Sequence, residues 1–223
     1  MIRAVNVCKS YDNNNTNVPV LQDISLNVEN GKFVAITGNS GSGKSTLLYT
    51  LSGLLTADKG EVYIDNTDIM KLNDSKMSEF RCNNIGFVFQ SYNIIPTMTI
   101  EENIRLPIII ANRELGKKKD IIDKLMKDVG LYDKRNKKAG YLSGGEQQRV
   151  SIARSLVNNP KIVFADEPTG NLDSQNADMI LKLLRKLCDD FKTTILMVTH
   201  NLESTSICDD VIKIKDGRIC SSK

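Results

Sequence analysis

The stretch Phe33-Val34-Ala35-Ile36-Thr37-Gly38-Asn39-Ser40-Gly41-Ser42-Gly43-Lys44-Ser45-Thr46 decides the fold. Its first four residues are apolar without alternation. Such a run reads as a strand buried on both faces, as in a parallel sheet under helices. The last nine residues, Gly38 to Thr46, match the phosphate-binding loop pattern, with Gly38 and Gly43 bracketing the loop and Lys44 and Ser45 following. The glycines allow backbone angles that turn successive N–H groups toward one anion. The helix that follows, expected over Thr46 to Leu55, adds the positive end of its dipole. Lys44 can set a point charge against β- and γ-phosphates, and Ser45 can offer an oxygen to Mg²⁺. A flexible Gly/Ser linker would have no reason to follow a buried strand.

Outward from this loop the same grammar recurs. Ile162-Val163-Phe164-Ala165 is a second apolar run, ending in Asp166-Glu167. Paired with the phosphate loop, Asp166 fits a carboxylate that holds Mg²⁺ and Glu167 one that orients or deprotonates an attacking water. Ile195-Leu196-Met197-Val198 is a third run, ending at Thr199-His200. Ile24, Leu26 and Val28 alternate with polar residues, which predicts a half-buried strand before the Asn30-Gly31 turn. Val211 to Ile219 reads as a hairpin turning at Asp216-Gly217. Ser174 is the expected N-cap of a helix that buries Ile180, Leu183, Leu184 and Leu187. Asn13-Asn14-Asn15 reads as a loop tip, and the Lys117-Lys118-Lys119 and Lys137-Lys138 runs as solvated faces. Between about Gln90 and Leu156 the pattern is mostly helix and loop. Ile121, Ile122, Leu125, Met126 and Val129 fall on one helical face, and Gly130 sits where a C-terminal cap belongs. Strands alternating with helices predict an α/β fold on a mostly parallel, doubly wound sheet, with a helical lobe inserted.

Composition narrows the partners. The 223 residues carry 30 Lys plus Arg against 27 Asp plus Glu, a net charge of +3. That excess is too small for a nucleic-acid protein, which needs a large clustered basic face. One histidine, His200, excludes sites built on several His ligands. Five widely spaced cysteines contain no CxxC pair, which fits reduced thiols in a cytosolic protein. The best apolar run, Ile108 to Ala111, is cut off by Pro107 and Asn112, far short of the roughly 20 residues that span a bilayer. No signal-peptide core opens the chain. A soluble protein is expected, reaching a membrane only through a partner.

Leu142-Ser143-Gly144-Gly145-Glu146-Gln147-Gln148-Arg149 carries a resemblance that covers essentially the whole chain: it is similar to the signature motif of the ATP-binding cassette (ABC) superfamily. A Ser-Gly-Gly opening a helix, expected over Glu146 to Val157, is a second anion-binding helix N-terminus. The resemblance implies a P-loop NTPase (RecA-like) core with a mostly parallel sheet, an N-terminal antiparallel β subdomain and an inserted α-helical subdomain. Residues 1–89 and 157–223 would form the core with its β subdomain, and residues 90–156 the helical subdomain. It implies an ATPase with ATP and Mg²⁺ as cofactors. Gly38, Asn39, Ser40, Gly41, Ser42, Gly43, Lys44, Ser45 and Thr46 would form the Walker A loop and Asp166 the Walker B carboxylate. Tyr11 would stack on adenine, and Gln90 would sense Mg²⁺ and the lytic water from the Q-loop. Ser45, Gln90 and Asp166 would be the metal set. Glu167 and the switch histidine His200 would act with Gln90 in catalysis, and Asp173 would lie in the D-loop. Ser143, Gly144 and Gly145 would cover the γ-phosphate held by the other subunit, in an ATP-dependent head-to-tail homodimer.

Pro168-Thr169-Gly170-Asn171-Leu172-Asp173-Ser174 and the Tyr92 to Ile104 stretch resemble the bacterial macrolide-export, lipoprotein-release, cell-division and bacitracin-type subgroup. The resemblance implies a separate transmembrane permease chain, whose coupling helix would dock near Gln90 to Leu106. With the sequence running only just past its closing hairpin, no regulatory C-terminal domain is expected. The chain would sit in the cytoplasm, peripheral at the inner face of the cell membrane, powering export or mechanical work. The alternatives are a soluble ABC-type ATPase without a membrane chain and a cell-division-type ATPase.

Overall fold

The computed structural model describes residues 1–13, 16–112 and 115–222, without the side chains of residues 13, 115, 117, 221 and 222. Asn14, Asn15 and the Lys117 side chain therefore lie outside the described residues. Chain order begins with strands β1 (Ile2–Asn13), β2 (Thr16–Val28) and β3 (Phe33–Thr37), then helix α1 (Lys44–Leu51). Next come β4 (Lys59–Ile64), β5 (Thr67–Asp68), α2 (Asp74–Asn84) and β6 (Ile85–Phe89). Helices α3 (Ile100–Ile110), α4 (Lys119–Asp128) and α5 (Gly144–Leu156) follow, and then β7 (Ile162–Asp166) and α6 (Ser174–Phe191). The chain closes with β8 (Thr194–Val198), β9 (Asp210–Lys215) and β10 (Arg218–Ser222).

Two sheets result. One is antiparallel, in the order β2-β1-β4-β5, and the other runs β10-β9-β3-β8-β7-β6. In the second, β9, β3, β8, β7 and β6 are mutually parallel, with β10 added antiparallel by the Asp216-Gly217 hairpin. The apolar runs behave as expected of parallel strands covered on both faces. Phe33 and Ala35 of β3 enter one core with Val163, Ala165, Ile195 and Met197, closed over by α3 to α6. Val34 and Ile36 enter the other with Ile162, Phe164, Leu196 and Val198, closed over by α1 and the antiparallel sheet. A period of two thus feeds both cores from each strand.

Several helix ends differ from the sequence reading. The first helix starts at Lys44 and stops at Leu51, where Ser52 ends it and Gly53 takes φ +66°. Reading it on to Leu55 followed apolar residues past that reversal. Asp173, not Ser174, caps α6: its carboxylate accepts from the Asn176 N–H at 2.8 Å. Both residue types cap well, so the sequence left the two nearly tied. Helix α5 begins at Gly144 rather than Glu146, because Ser143 and Glu146 form a reciprocal capping box. Pro107, which bounds the apolar run Ile108 to Ala111, lies inside α3. Its carbonyl accepts from Asn158 Nδ2 at 3.0 Å. Gly130 behaves as expected, at φ +66°, with its N–H on Lys127 O and that of Leu131 on Met126 O. That pairing is a Schellman cap.

The five cysteines are free thiols, and burial pushes Cys188 up to about 11 and Cys208 to about 12, which keeps both protonated. Among the described residues no helix is long and apolar enough to cross a membrane.

Asn103 of α3 anchors the segment after β6. Fully buried, it accepts from Ile95 N–H at 2.8 Å and donates to Ile95 O and Thr99 O at 3.0 and 2.9 Å. Asn103→Leu keeps the branched shape but leaves the Ile95 N–H without its side-chain acceptor and removes both amide donations. Urea denaturation should show a loss of about 2 kcal/mol or more; an unchanged midpoint would remove Asn103 as the anchor.

Candidate active site

Parallel register brings the ends of four strands to one edge. Ile36 pairs with Val198, Val198 with Asp166, and Asp166 with Phe89. The residues that follow these pairs are Gly38 to Thr46, His200, Glu167 and Gln90. In parallel α/β sheets ligands bind beyond the carboxyl ends of the strands, and that is the edge from which these residues emerge.

The loop after β3 wraps tightly. A Cβ at Gly38 would lie 2.2 Å from Ile214 O, so no larger residue fits there. Gly43 sits at φ +98° as the N-cap of α1, and a Cβ there would meet Val20 O at 2.8 Å. Lys44 is buried, and its Nζ donates to Asn39 O at 2.8 Å across the loop. The loop thus holds its cation over its own backbone.

Strand alternation aims Asp166 at the face that carries α1, because Phe164 two residues earlier packs there. Ser45 Oγ donates to Asp166 Oδ1 at 3.0 Å, and the Tyr49 hydroxyl donates to Oδ2 at 2.5 Å. Burial, then the hydrogen bond to Asp166 and its charge, hold the Tyr49 phenol well above its usual pKa. It therefore stays a donor. Glu167 leaves the alternation: its φ is +44°, with its N–H on Val198 O and its carbonyl accepting from the Gly170 N–H. A non-glycine residue in that region is strained and must be held by its surroundings. The reversal turns the Glu167 carboxylate to the cleft, where Oε1 lies 3.0 Å from His200 Nδ1.

The cleft has a volume of about 590 Å³ and is lined by Tyr11, Val20, Ser40, Gly41, Gly43, Lys44, Ser45, Thr46, Glu167 and His200. Gly38, Asn39 and Ser42 belong to the loop without lining the cleft. The remaining sequence candidates stand apart. Gln90 is exposed at the end of β6, its Nε2 on Asn171 Oδ1 at 3.1 Å. Ser143 and Asp173 are exposed helix caps. Gly145 is packed so closely on Asn176 that a Cβ would lie 2.7 Å from its Oδ1, which ties the start of α5 to the first turn of α6.

Two residues were missed by the sequence reading. Tyr49 lies four residues after Ser45, on the same helical face, and that spacing could have found it. Val20 gave no local signal, since it reaches the cleft only through the packing of β2 beside the loop.

A family model described as ABC transporter matches residues 21–170. The chain belongs to the ABC transporter family. It is similar to the lipoprotein-releasing system ATP-binding protein LolD of Wigglesworthia glossinidia brevipalpis, at 41% identity over 98% of this chain and 96% of that one. It is 39% identical to the bacitracin export ATP-binding protein BceA of Halalkalibacterium halodurans, over 98% of this chain and 87% of that one. Among solved structures, an ATP-binding cassette in a dimeric post-hydrolysis state bound to ADP and Pi superposes with a TM-score of 0.90 at 39% identity, covering 100% of this chain and 98% of that one. This ABC protein is accordingly an ATP-binding subunit with ATPase activity, on an α/β P-loop NTPase fold.

Helix α5 of this ABC ATPase carries a pH-dependent support. Glu146 accepts from Lys134 Nζ at 2.6 Å and from the Ser143 N–H at 2.9 Å. Lys134 first, then that N–H, lower its pKa from 4.5 to about 2. A depressed carboxylate contributes stability that is present above its unfolded value and is lost as pH falls through the folded one. The window is therefore pH 4.5 down to about 2. With Lys134 half exposed, the contribution is on the order of 1–2 kcal/mol. In Glu146→Gln, denaturation midpoints measured across that window should fall less steeply with acid; an unchanged slope would contradict the assignment.

Proposed function

We propose that the cleft is one half of a composite ATPase site, completed by Ser143, Gly144, Gly145 and Asp173 of a second copy in a head-to-tail homodimer. The observation that carries this is a separation within one chain: the phosphate loop, Glu167 and His200 share a cleft, while the signature cap and Asp173 stand exposed away from it. The dimeric, ADP-bound cassette to which this chain is similar supports the same arrangement.

In this reading Tyr11 stacks on the adenine, and the N–H groups of residues 38–46, with Lys44, hold the phosphates. Glu167 accepts a proton from the water that attacks the γ-phosphorus, and ADP leaves as phosphate forms. His200 fixes the Glu167 carboxylate from its Nδ1 side. Ser45 Oγ and Asp166 Oδ1, hard oxygens 3.0 Å apart, are the donor chemistry Mg²⁺ takes; Gln90 would join them after leaving Asn171. When bound, Mg²⁺ neutralises charge on the β- and γ-phosphate oxygens. Catalysis then rests on positioning and electrostatics rather than on covalent chemistry.

Residues 90–156 are taken as a helical subdomain and residues 1–89 and 157–223 as the core with its β subdomain. In support, the described helices between β6 and β7 are α3, α4 and α5, with short 3₁₀ turns. A groove of about 380 Å³ at this junction, lined by Leu54, Phe87, Phe89, Leu106, Pro107 and Ile110 among others, suits an amphipathic helix of a separate membrane chain. Its lining meets the expected Gln90 to Leu106 stretch at Leu106. Through that chain the protein would sit at the cytoplasmic face of the membrane and power export or mechanical work. The relatives named for lipoprotein release and bacitracin export favour that class over a soluble ATPase.

Glu167→Gln should keep ATP binding, lower turnover about 10²- to 10⁴-fold and accumulate an ATP-bound dimer on size exclusion. Near-normal phosphate release would refute the role of Glu167.

A further inference from the structure

The carboxylate of Asp166 is held on both sides by one helix. Ser45 and Tyr49 are four residues apart on α1, so both side chains leave the same face. Ser45 Oγ meets Oδ1 at 3.0 Å and the Tyr49 hydroxyl meets Oδ2 at 2.5 Å. The second contact has the length of a charge-assisted O–H···O⁻ bond, the stronger kind. The Tyr49 ring packs against the buried cluster that contains Leu48, Phe164 and Val198, so the hydroxyl is delivered by a fixed ring rather than by a mobile chain.

The two contacts differ in what they can do. Ser45 lines the cleft and Tyr49 does not. In the metal-bound state proposed above, Ser45 would turn its oxygen to the metal, and its hydrogen bond to Asp166 would be given up or reshaped. Tyr49 does not line the cleft and would keep its bond. It would then be the remaining restraint on the torsion of the carboxylate. Mg²⁺ demands near-ideal octahedral geometry, so a carboxylate free to rotate is a poorer partner than one already set. Partners behind a metal site that orient its ligands act in this way.

We propose that Tyr49 is a positioning residue for the Mg²⁺ site, locking Asp166 so that Oδ1 faces the cleft beside Ser45. This rests on the reading of Ser45 and Asp166 as the metal set. Tyr49→Phe is the cleanest test, since it removes one oxygen and keeps the ring in its packing.

The experiment measures ADP binding to the full chain by titration calorimetry, with and without Mg²⁺, and Mn²⁺ binding to the ADP complex by electron paramagnetic resonance. ADP avoids turnover. Tyr49→Phe should bind ADP as the unsubstituted chain does when Mg²⁺ is absent, and should bind Mn²⁺ in the ADP complex about tenfold more weakly. Metal binding equal to or tighter than that of the unsubstituted chain would overturn the proposal. So would an equal loss of ADP binding with and without metal, which would mark a packing role. Asp166→Asn, run beside it, separates the two levels. If it abolishes the metal dependence while Tyr49→Phe leaves it intact, only the role of Tyr49 fails. If it leaves the dependence intact, the metal set itself fails.

Discussion

The site depends on register. Strands β3, β8, β7 and β6 run parallel, and pairing of Ile36 with Val198, Val198 with Asp166 and Asp166 with Phe89 ends them at one level. A one-residue slip in any of these pairs would send every side chain of that strand to the opposite face. Asp166 would then point away from α1, and the contacts with Ser45 and Tyr49 would be lost. Register is held because each strand buries residues on both faces, in two separate cores. The chemistry at the edge therefore inherits its precision from packing below it.

Little of the anion-binding capacity shows in the net charge of +3. In the proposed reading it resides in backbone N–H groups at the loop after β3, in the start of α1, and in Lys44 held over the loop. The acidic groups lie just beyond. Asp166 accepts from two hydroxyl donors, and Glu167 Oε1 lies 3.0 Å from His200 Nδ1. Cost is concentrated in the backbone of Glu167, whose left-handed conformation is held by Val198 O and the Gly170 N–H. Strain of that kind, on the order of 1–3 kcal/mol, is sustained only where the surroundings over-determine it.

Much of this was legible in the sequence, for identifiable reasons. Buried parallel strands announce themselves by length and by unbroken apolar runs, and the phosphate loop by glycines whose spacing has a mechanical cause. Helix ends were less legible. Asp173 and Ser174 are both good caps, and only the hydrogen bond to Asn176 separates them. Tyr49 shares a helical face with Ser45, but the partner that gives the spacing its meaning, Asp166, is 117 residues away in sequence. The separation of Ser143 from the cleft, on which the composite-site reading depends, could only be inherited from the family resemblance until the fold placed both.

The central claim is that one chain supplies the phosphate loop and another the signature to each site. Mixing a Lys44→Ala chain with a Ser143→Arg chain and measuring phosphate release tests it directly. Each chain alone lacks one half of every site. In the mixed dimer one site regains an intact loop and an intact signature, so the mixture should hydrolyse ATP while neither component does. A mixture no more active than the sum of its components would contradict the claim.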